Sequence, residues 1–150
     1  MELAERKSLV AENELKLLKR KDYLLITADT MVTLEGEALG KPENKKEAEH
    51  MLTRLSGRSH CVKTAICVFA SSSNQRICEI QSTDVFFRPI MRQEILDYIA
   101  TGEPMDKAGA YAIQGEGKKF VEKYIGPYDN VVGLPVDLLK KVLQGFNYGI

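Results

Sequence analysis

The chain has 150 residues, 44% of them apolar and 28% charged, a balance that suits one domain with a core of its own. Lysine plus arginine equals aspartate plus glutamate at 21 each. That balance gives no ground for a nucleic acid polymer or an anionic membrane as partner, but it leaves room for one small anion in a local basic pocket.

No apolar run approaches the roughly 20 residues that span a bilayer, and residues 1–20 are rich in Glu and Lys, unlike a secretory leader. A cytoplasmic location is therefore expected. The three cysteines, Cys61, Cys67 and Cys78, form no CxxC pair and are expected to be reduced thiols. Cys61 and Cys67 lie in an apolar run and read as small buried hydrophobes.

Residues 2–20 are strong helix formers without Gly or Pro and predict a helix, interrupted near Asn13. Residues 23–28 (YLLITA) form a short apolar run, the pattern of a strand covered on both faces that ends at Asp29-Thr30. A second extended stretch from Met31 to Leu34 leads into a turn at Glu35-Gly36-Glu37. Pro42 holds Lys41 extended. Asn44 is placed to cap a helix that buries Ala48, Met51, Leu52 and Leu55 and closes at Gly57.

His60 to Phe69 and residues 75–88 predict an antiparallel hairpin around Ser71-Ser72-Ser73-Asn74. Met91 to Thr101 predicts a helix on Ile95, Leu96 and Ile99. Residues 103–117, rich in glycine, predict a structured loop, and residues 118–132 one or two short strands. Pro135 opens a final helix. The order of elements points to one α/β domain over residues 1–150, with a mixed sheet flanked by helices.

Asp29 is the first candidate for chemistry. A carboxylate at the end of a buried strand suits a divalent cation or a proton taken from water, and equally suits a plain turn cap. Lys41, beside Gly40, either meets phosphate oxygens as a point charge or is solvated. Gly102 to Gly115 suits close backbone approach to a ligand, and the Gln114 amide both donates and accepts, as reading a base edge requires. The stretch is neither a Walker A loop nor GxGxxG. His50 and His60 have no metal-ligand spacing with the cysteines and receive no role.

Taken together, these segments resemble the Maf family of nucleoside triphosphate pyrophosphatases. The resemblance rests on Ala28-Asp29-Thr30, Gly40-Lys41-Pro42, Leu55-Ser56-Gly57-Arg58, the long run from Gly102 to Gly115, and Asn130-Val131-Val132-Gly133-Leu134-Pro135, in matching order. It implies a Maf/ITPase-like fold with a central cleft. It also implies hydrolysis of a nucleoside triphosphate to the monophosphate and pyrophosphate with a divalent cation, Mg²⁺ or Mn²⁺. Asp29 matches the proton acceptor that also sits near the metal. Thr30 and Gln114 match positions tied to substrate choice, in the form that resembles the branch acting on dTTP and UTP. Lys41 and Lys7 match phosphate-contacting lysines. A homodimer is a further expectation of the resemblance.

Family members open with a strand, Ser-x-Ser-Pro-Arg-Arg, a helix and a second strand ending near a glutamate. By analogy roughly 40–50 residues stand before the position matched by Met1, a length consistent with ordinary domain size. This chain is thus expected to be N-terminally truncated, without the arginines that clamp phosphates and without a second metal-sharing carboxylate. The alternative that follows is a catalytically weak Maf-fold module that binds nucleotides or dimerises.

Overall fold

The structure, a computed structural model, describes residues 2–19 and 22–146. The chain runs α1 (Glu2–Leu17), β1 (Leu24–Leu34), β2 (Glu37–Leu39), α2 (Lys45–Leu55), β3 (Ser59–Ala70) and β4 (Gln75–Phe87). It continues with α3 (Arg92–Ala100), a series of 3-10 turns, β5 (Val121–Ile125), α4 (Tyr128–Val132) and α5 (Val136–Gln144). The strands form one open sheet in the order β2-β1-β3-β4-β5. Helices cover it: α1 lies on one face, and α2, α3 and α5 pack on the other.

Several expectations change. The sheet is antiparallel at every pairing of the described strands, not mixed. β1 turns straight back into β2, β3 straight back into β4, and the α2 connection returns the chain along the other edge of β1 in the opposite sense. β1 does not stop at Asp29-Thr30. Its ladder to β3 runs unbroken from Leu24↔Ala70 to Thr33↔Cys61. Period two explains this: Ala28, Thr30, Val32 and Leu34 share one face, so the polar pair falls inside the alternation rather than ending it.

α1 passes through Asn13 without interruption. A mid-helix Asn costs well under 1 kcal/mol of propensity, less than docking contributes. The expected helix end at Arg20 lies outside the described residues. Residues 128–132 are helix, not strand, because Asn130 is fully buried and tied to the sheet. Finally, Cys67 and Cys78 are not thiols but a disulfide across β3 and β4, which their register places directly opposite each other. Cys61 is free.

The main core lies between the sheet and α2, α3 and the turns beyond α3. It holds Val32 and Leu34 of β1, Leu52 and Leu55 of α2, Val85 and Phe87 of β4, and Ile95 and Tyr98 of α3. Burying each such side chain is worth about 1.5–3 kcal/mol. α2 forms where expected: the Asn44 side chain accepts from the Glu47 N–H at 3.0 Å. A second cluster joins Ile66 and Val68 to Val142 and Leu143 of α5. On the opposite face Ala4 of α1 sits on Ala65 and Cys67. The Glu12 carboxylate on α1 is paired with Lys16 and with Arg76 of β4, which hold it below the usual carboxylate range against the opposing effect of burial. Among the described residues no helix is long and apolar enough to cross a membrane.

Candidate active site

β2 pairs only with residues 32–34 of β1, so within the described sheet Leu24–Met31 are bonded on one side only. A cleft of about 400 Å³ opens there, between β1, the 106–114 segment and α4. That volume suits a small-molecule ligand. Lys7, Asp29, Thr30, Lys41 and Gln114 all line it, although they come from four different parts of the chain.

Lys7 arrives on α1. The Thr27 hydroxyl donates to the Ala4 carbonyl at 2.9 Å, which fixes the helix one turn from Lys7. Its ammonium pairs with the Asp29 carboxylate. Asp29 is mid-strand and turned toward the α1 face. Its side chain is 19% exposed, so it is sheltered yet reachable.

Thr30 points to the other face, into a polar chain inside the sheet. Its hydroxyl lies 2.9 Å from the Thr64 hydroxyl, and Thr64 in turn donates to the Asn130 carbonyl at 2.8 Å. The Asn130 amide donates to the Val62 carbonyl and to the Thr83 hydroxyl, each at 3.0 Å. Thr83 donates onward to the Pro127 carbonyl at 2.8 Å. This chain pins α4 to β3 and β4, which sets Val131 and Val132 as a wall of the cleft.

Lys41 is positioned through its neighbour. The Gly109 N–H donates to the Gly40 carbonyl at 3.0 Å, stitching the Lys41 segment to the loop opposite. Gly109 has φ +68°, and a Cβ there would stand 3.0 Å from Val32 Cγ1, so only glycine lets the loop lie this close to β1. Asp106 and Lys107 reach the same cleft. The Asp106 carboxyl is held below its ordinary value, first by the hydrogen bond from Lys107, with Lys41 adding to the effect.

Gln114 sits on a loop held by Glu103. The Tyr98 hydroxyl donates to Glu103 Oε1 at 2.7 Å and accepts from the Ala112 N–H at 3.1 Å. Glu103 also accepts from the N–H groups of Glu116 and Gly117, at 3.0 and 3.2 Å. Burial raises the Glu103 carboxyl, but these bonds outweigh it and leave it below the usual range. Burial and Glu103 push the Tyr98 hydroxyl well above its ordinary value. Tyr111, whose ring lines the cleft, is braced from behind by His60: Nε2 lies 2.8 Å from the Tyr111 oxygen. Burial pushes the imidazole down to about 4, so His60 is neutral near pH 7.

The sequence reading missed Thr64, Asn130, Glu103 and the His60–Tyr111 pair. For Thr64 and Thr83 a signal existed: each is a hydroxyl at the period of an otherwise apolar strand face. His60 gave none, since its partner Tyr111 is 51 residues away, and Glu103 gave none, since its bonds form only once the 3-10 turns fold the loop back on it.

Chemically, the cleft offers two carboxylates, Asp29 and Asp106, and three lysines, Lys7, Lys41 and Lys107. Among the described residues no group of three or more His, Cys, Asp or Glu is placed to hold a metal ion. Two carboxylates still suit a hard cation such as Mg²⁺, which takes one or two from the protein and completes its shell with substrate phosphates and water.

An α/β sheet with a cleft at one strand, lined by both lysines and carboxylates over a buried polar floor, defines a domain with room for a small ligand. The family model for Maf-like proteins matches residues 1–146, and the chain belongs to the Maf family. It is 44% identical over 146 residues to the "dTTP/UTP pyrophosphatase" of Bdellovibrio bacteriovorus, covering 97% of this chain and 76% of that protein. It is 47% identical over 147 residues to the protein of the same name in Bacillus velezensis, covering 97% and 73%. It is 51% identical over 126 residues to the "Nucleoside triphosphate pyrophosphatase" of Haemophilus ducreyi, covering 81% and 62%.

Proposed function

We propose that this chain hydrolyses dTTP and UTP to the nucleoside monophosphate and pyrophosphate. The observation that carries the reading is convergence: Lys7, Asp29, Thr30, Lys41 and Gln114 meet in one nucleotide-sized cleft. The names of the relatives support the substrate class.

In this reaction the Asp29 carboxylate takes a proton from water as the water oxygen attacks the α-phosphorus. The bond from the α-phosphorus to the oxygen bridging to the β-phosphate breaks, and pyrophosphate leaves with that oxygen. Lys7, Lys41 and Lys107 attract the phosphates. Releasing Lys7 from Asp29 to a phosphate oxygen would also free the carboxylate for the proton. A general base of this kind typically contributes about 10²- to 10⁴-fold. Lysines and aspartates nearly cancel in the cleft, whereas a triphosphate carries about four negative charges, so a divalent cation is part of the proposal. Asp29 would hold it, and the cation would supply charge neutralisation at the phosphates.

On the same reading the chain is a cytoplasmic homodimer that binds no nucleic acid polymer, in keeping with its net charge of zero. The Cys67–Cys78 bond sits against that location, since cytosolic disulfides are usually transient. The near-cancelling charge of the cleft favours a second reading, a module that binds nucleotides but turns them over slowly. Separation of products decides between them. With UTP or dTTP and Mg²⁺, the monophosphate and pyrophosphate should appear in equal amounts, with GTP much slower. Nucleoside diphosphate with orthophosphate would overturn the reading, and tight binding without products would establish the second one.

A further inference from the structure

Thr30 has a fixed hydrogen-bonding polarity, and neither residue that fixes it touches the cleft through its hydroxyl or amide. A hydroxyl has one proton. The Thr64 proton is committed to the Asn130 carbonyl, which can only accept. The 2.9 Å contact between Thr30 and Thr64 therefore requires Thr30 to donate. Thr64 is fully buried and Asn130 is fully buried, so neither can exchange its partner for water. The Thr30 oxygen is left with lone pairs alone for anything that enters the cleft.

Gly133 stands beside that oxygen: a Cβ there would lie 3.3 Å from Thr30 Oγ1, tighter than an ordinary contact, so a larger residue would crowd the hydroxyl. Around it the cleft is apolar: Val62, Val131, Val132 and the Tyr111 ring line this side. The lysines and Asp29 belong to the other side of β1 or to the loop opposite. A flat, uncharged part of a ligand fits beside Thr30, and the phosphates fit beside the lysines.

We infer that Thr64 and Asn130 are positioning residues that make Thr30 an obligate acceptor facing the N3 edge of a bound pyrimidine, so that an N3–H is selected and an N3 lone pair is rejected. This rests on the proposed reading of the cleft as a nucleotide site. Among pyrimidines it selects the uracil and thymine ring, whose N3 carries hydrogen, over cytosine, whose N3 does not. A phosphate oxygen is excluded from Thr30 for the same reason. A site built around one fixed polarity discriminates strongly, because the wrong ligand leaves two acceptors facing each other.

The test is binding of the α,β-methylene analogues of UTP and CTP, with Mg²⁺, to the parent chain and to Thr64→Val and Thr64→Ser. The parent should bind the UTP analogue about ten- to a hundredfold more tightly, the range expected for one buried hydrogen bond made or mismatched. Thr64→Val frees the Thr30 proton to turn toward the ligand. It should tighten the CTP analogue and shrink the preference several-fold, whereas simple damage would weaken both. Thr64→Ser keeps the relay and should keep the preference. The N3-methyl form of the UTP analogue, tested on the parent alone, should lose at least as much affinity as the CTP analogue. Equal binding of the two analogues by the parent, an unchanged ratio in a folded Thr64→Val, or a shift instead between ribo and deoxyribo forms would each overturn the inference. Discriminating binding without pyrophosphate release would overturn the proposed reaction and leave this inference standing. Release from UTP and CTP with equal efficiency would do the reverse.

Discussion

Asp29 and Thr30 are neighbours on one strand, yet they belong to two different kinds of environment. Asp29 turns toward α1, where its partner Lys7 is 55% exposed and free to exchange with a ligand. Thr30 turns inward, onto a chain of buried hydrogen bonds that ends at the Pro127 carbonyl. The first side is charged, loosely held and sensitive to salt. The second is neutral, fixed and insensitive to it. Alternation along a strand lets one dipeptide serve both, and the proposed reading puts chemistry on one face and recognition on the other.

Breaking the charged side should cost activity and little stability. Asp29→Asn is expected to lower kcat/KM for UTP by at least about a hundredfold, while its urea midpoint stays near that of the parent. Breaking the neutral side should do the opposite. Asn130→Ala removes the buried amide's donations to the Val62 carbonyl and the Thr83 hydroxyl and leaves a cavity, and a loss of about 2–4 kcal/mol is expected in urea denaturation.

A smaller effect sharpens the contrast through pH. His60, which braces Tyr111, is pushed by burial from 6.5 down to about 4. The unfolded chain therefore binds the proton first. The stability His60 contributes is complete above pH 6.5 and is lost as pH falls from there through about 4. Between pH 7 and 5 the parent should lose about 2 kcal/mol more than His60→Gln, which has no proton to gain. The smallest effect belongs to exposed ion pairs away from both sides. Removing the Lys140–Asp137 pair by Lys140→Ala should change stability by less than about 0.5 kcal/mol in the same assay.

Much of this architecture is legible in the residues. Asn44, the spacing of Ala48, Met51, Leu52 and Leu55, and the polar tract at Ser71–Asn74 announce a capped helix and a hairpin through local chemistry alone. Asp29, Lys41 and Gln114 stand out by position and chemistry, whereas Thr30 and Lys7 enter only through the family resemblance, and no spacing in the sequence brings the five together. What stayed hidden depends on contacts distant in sequence. Val131 and Val132 favour a strand by propensity, but Asn130, anchored 68 residues away on Val62, holds them in a helix. Cys67 and Cys78 read as separate reduced thiols until register sets them opposite each other. The polarity of Thr30 is set by Thr64 and Asn130, 34 residues along from Thr30 and 66 beyond Thr64.

The division of labour along β1 is tested most directly by the ratio of kcat/KM for UTP to that for CTP, measured in Asp29→Asn and in Thr30→Val. Asp29→Asn should slow both substrates by the same factor and leave the ratio where the parent has it. Thr30→Val should lower the ratio about tenfold or more, chiefly through UTP. A ratio altered by Asp29→Asn, or left intact by Thr30→Val, would contradict the assignment of chemistry and recognition to opposite faces of the strand.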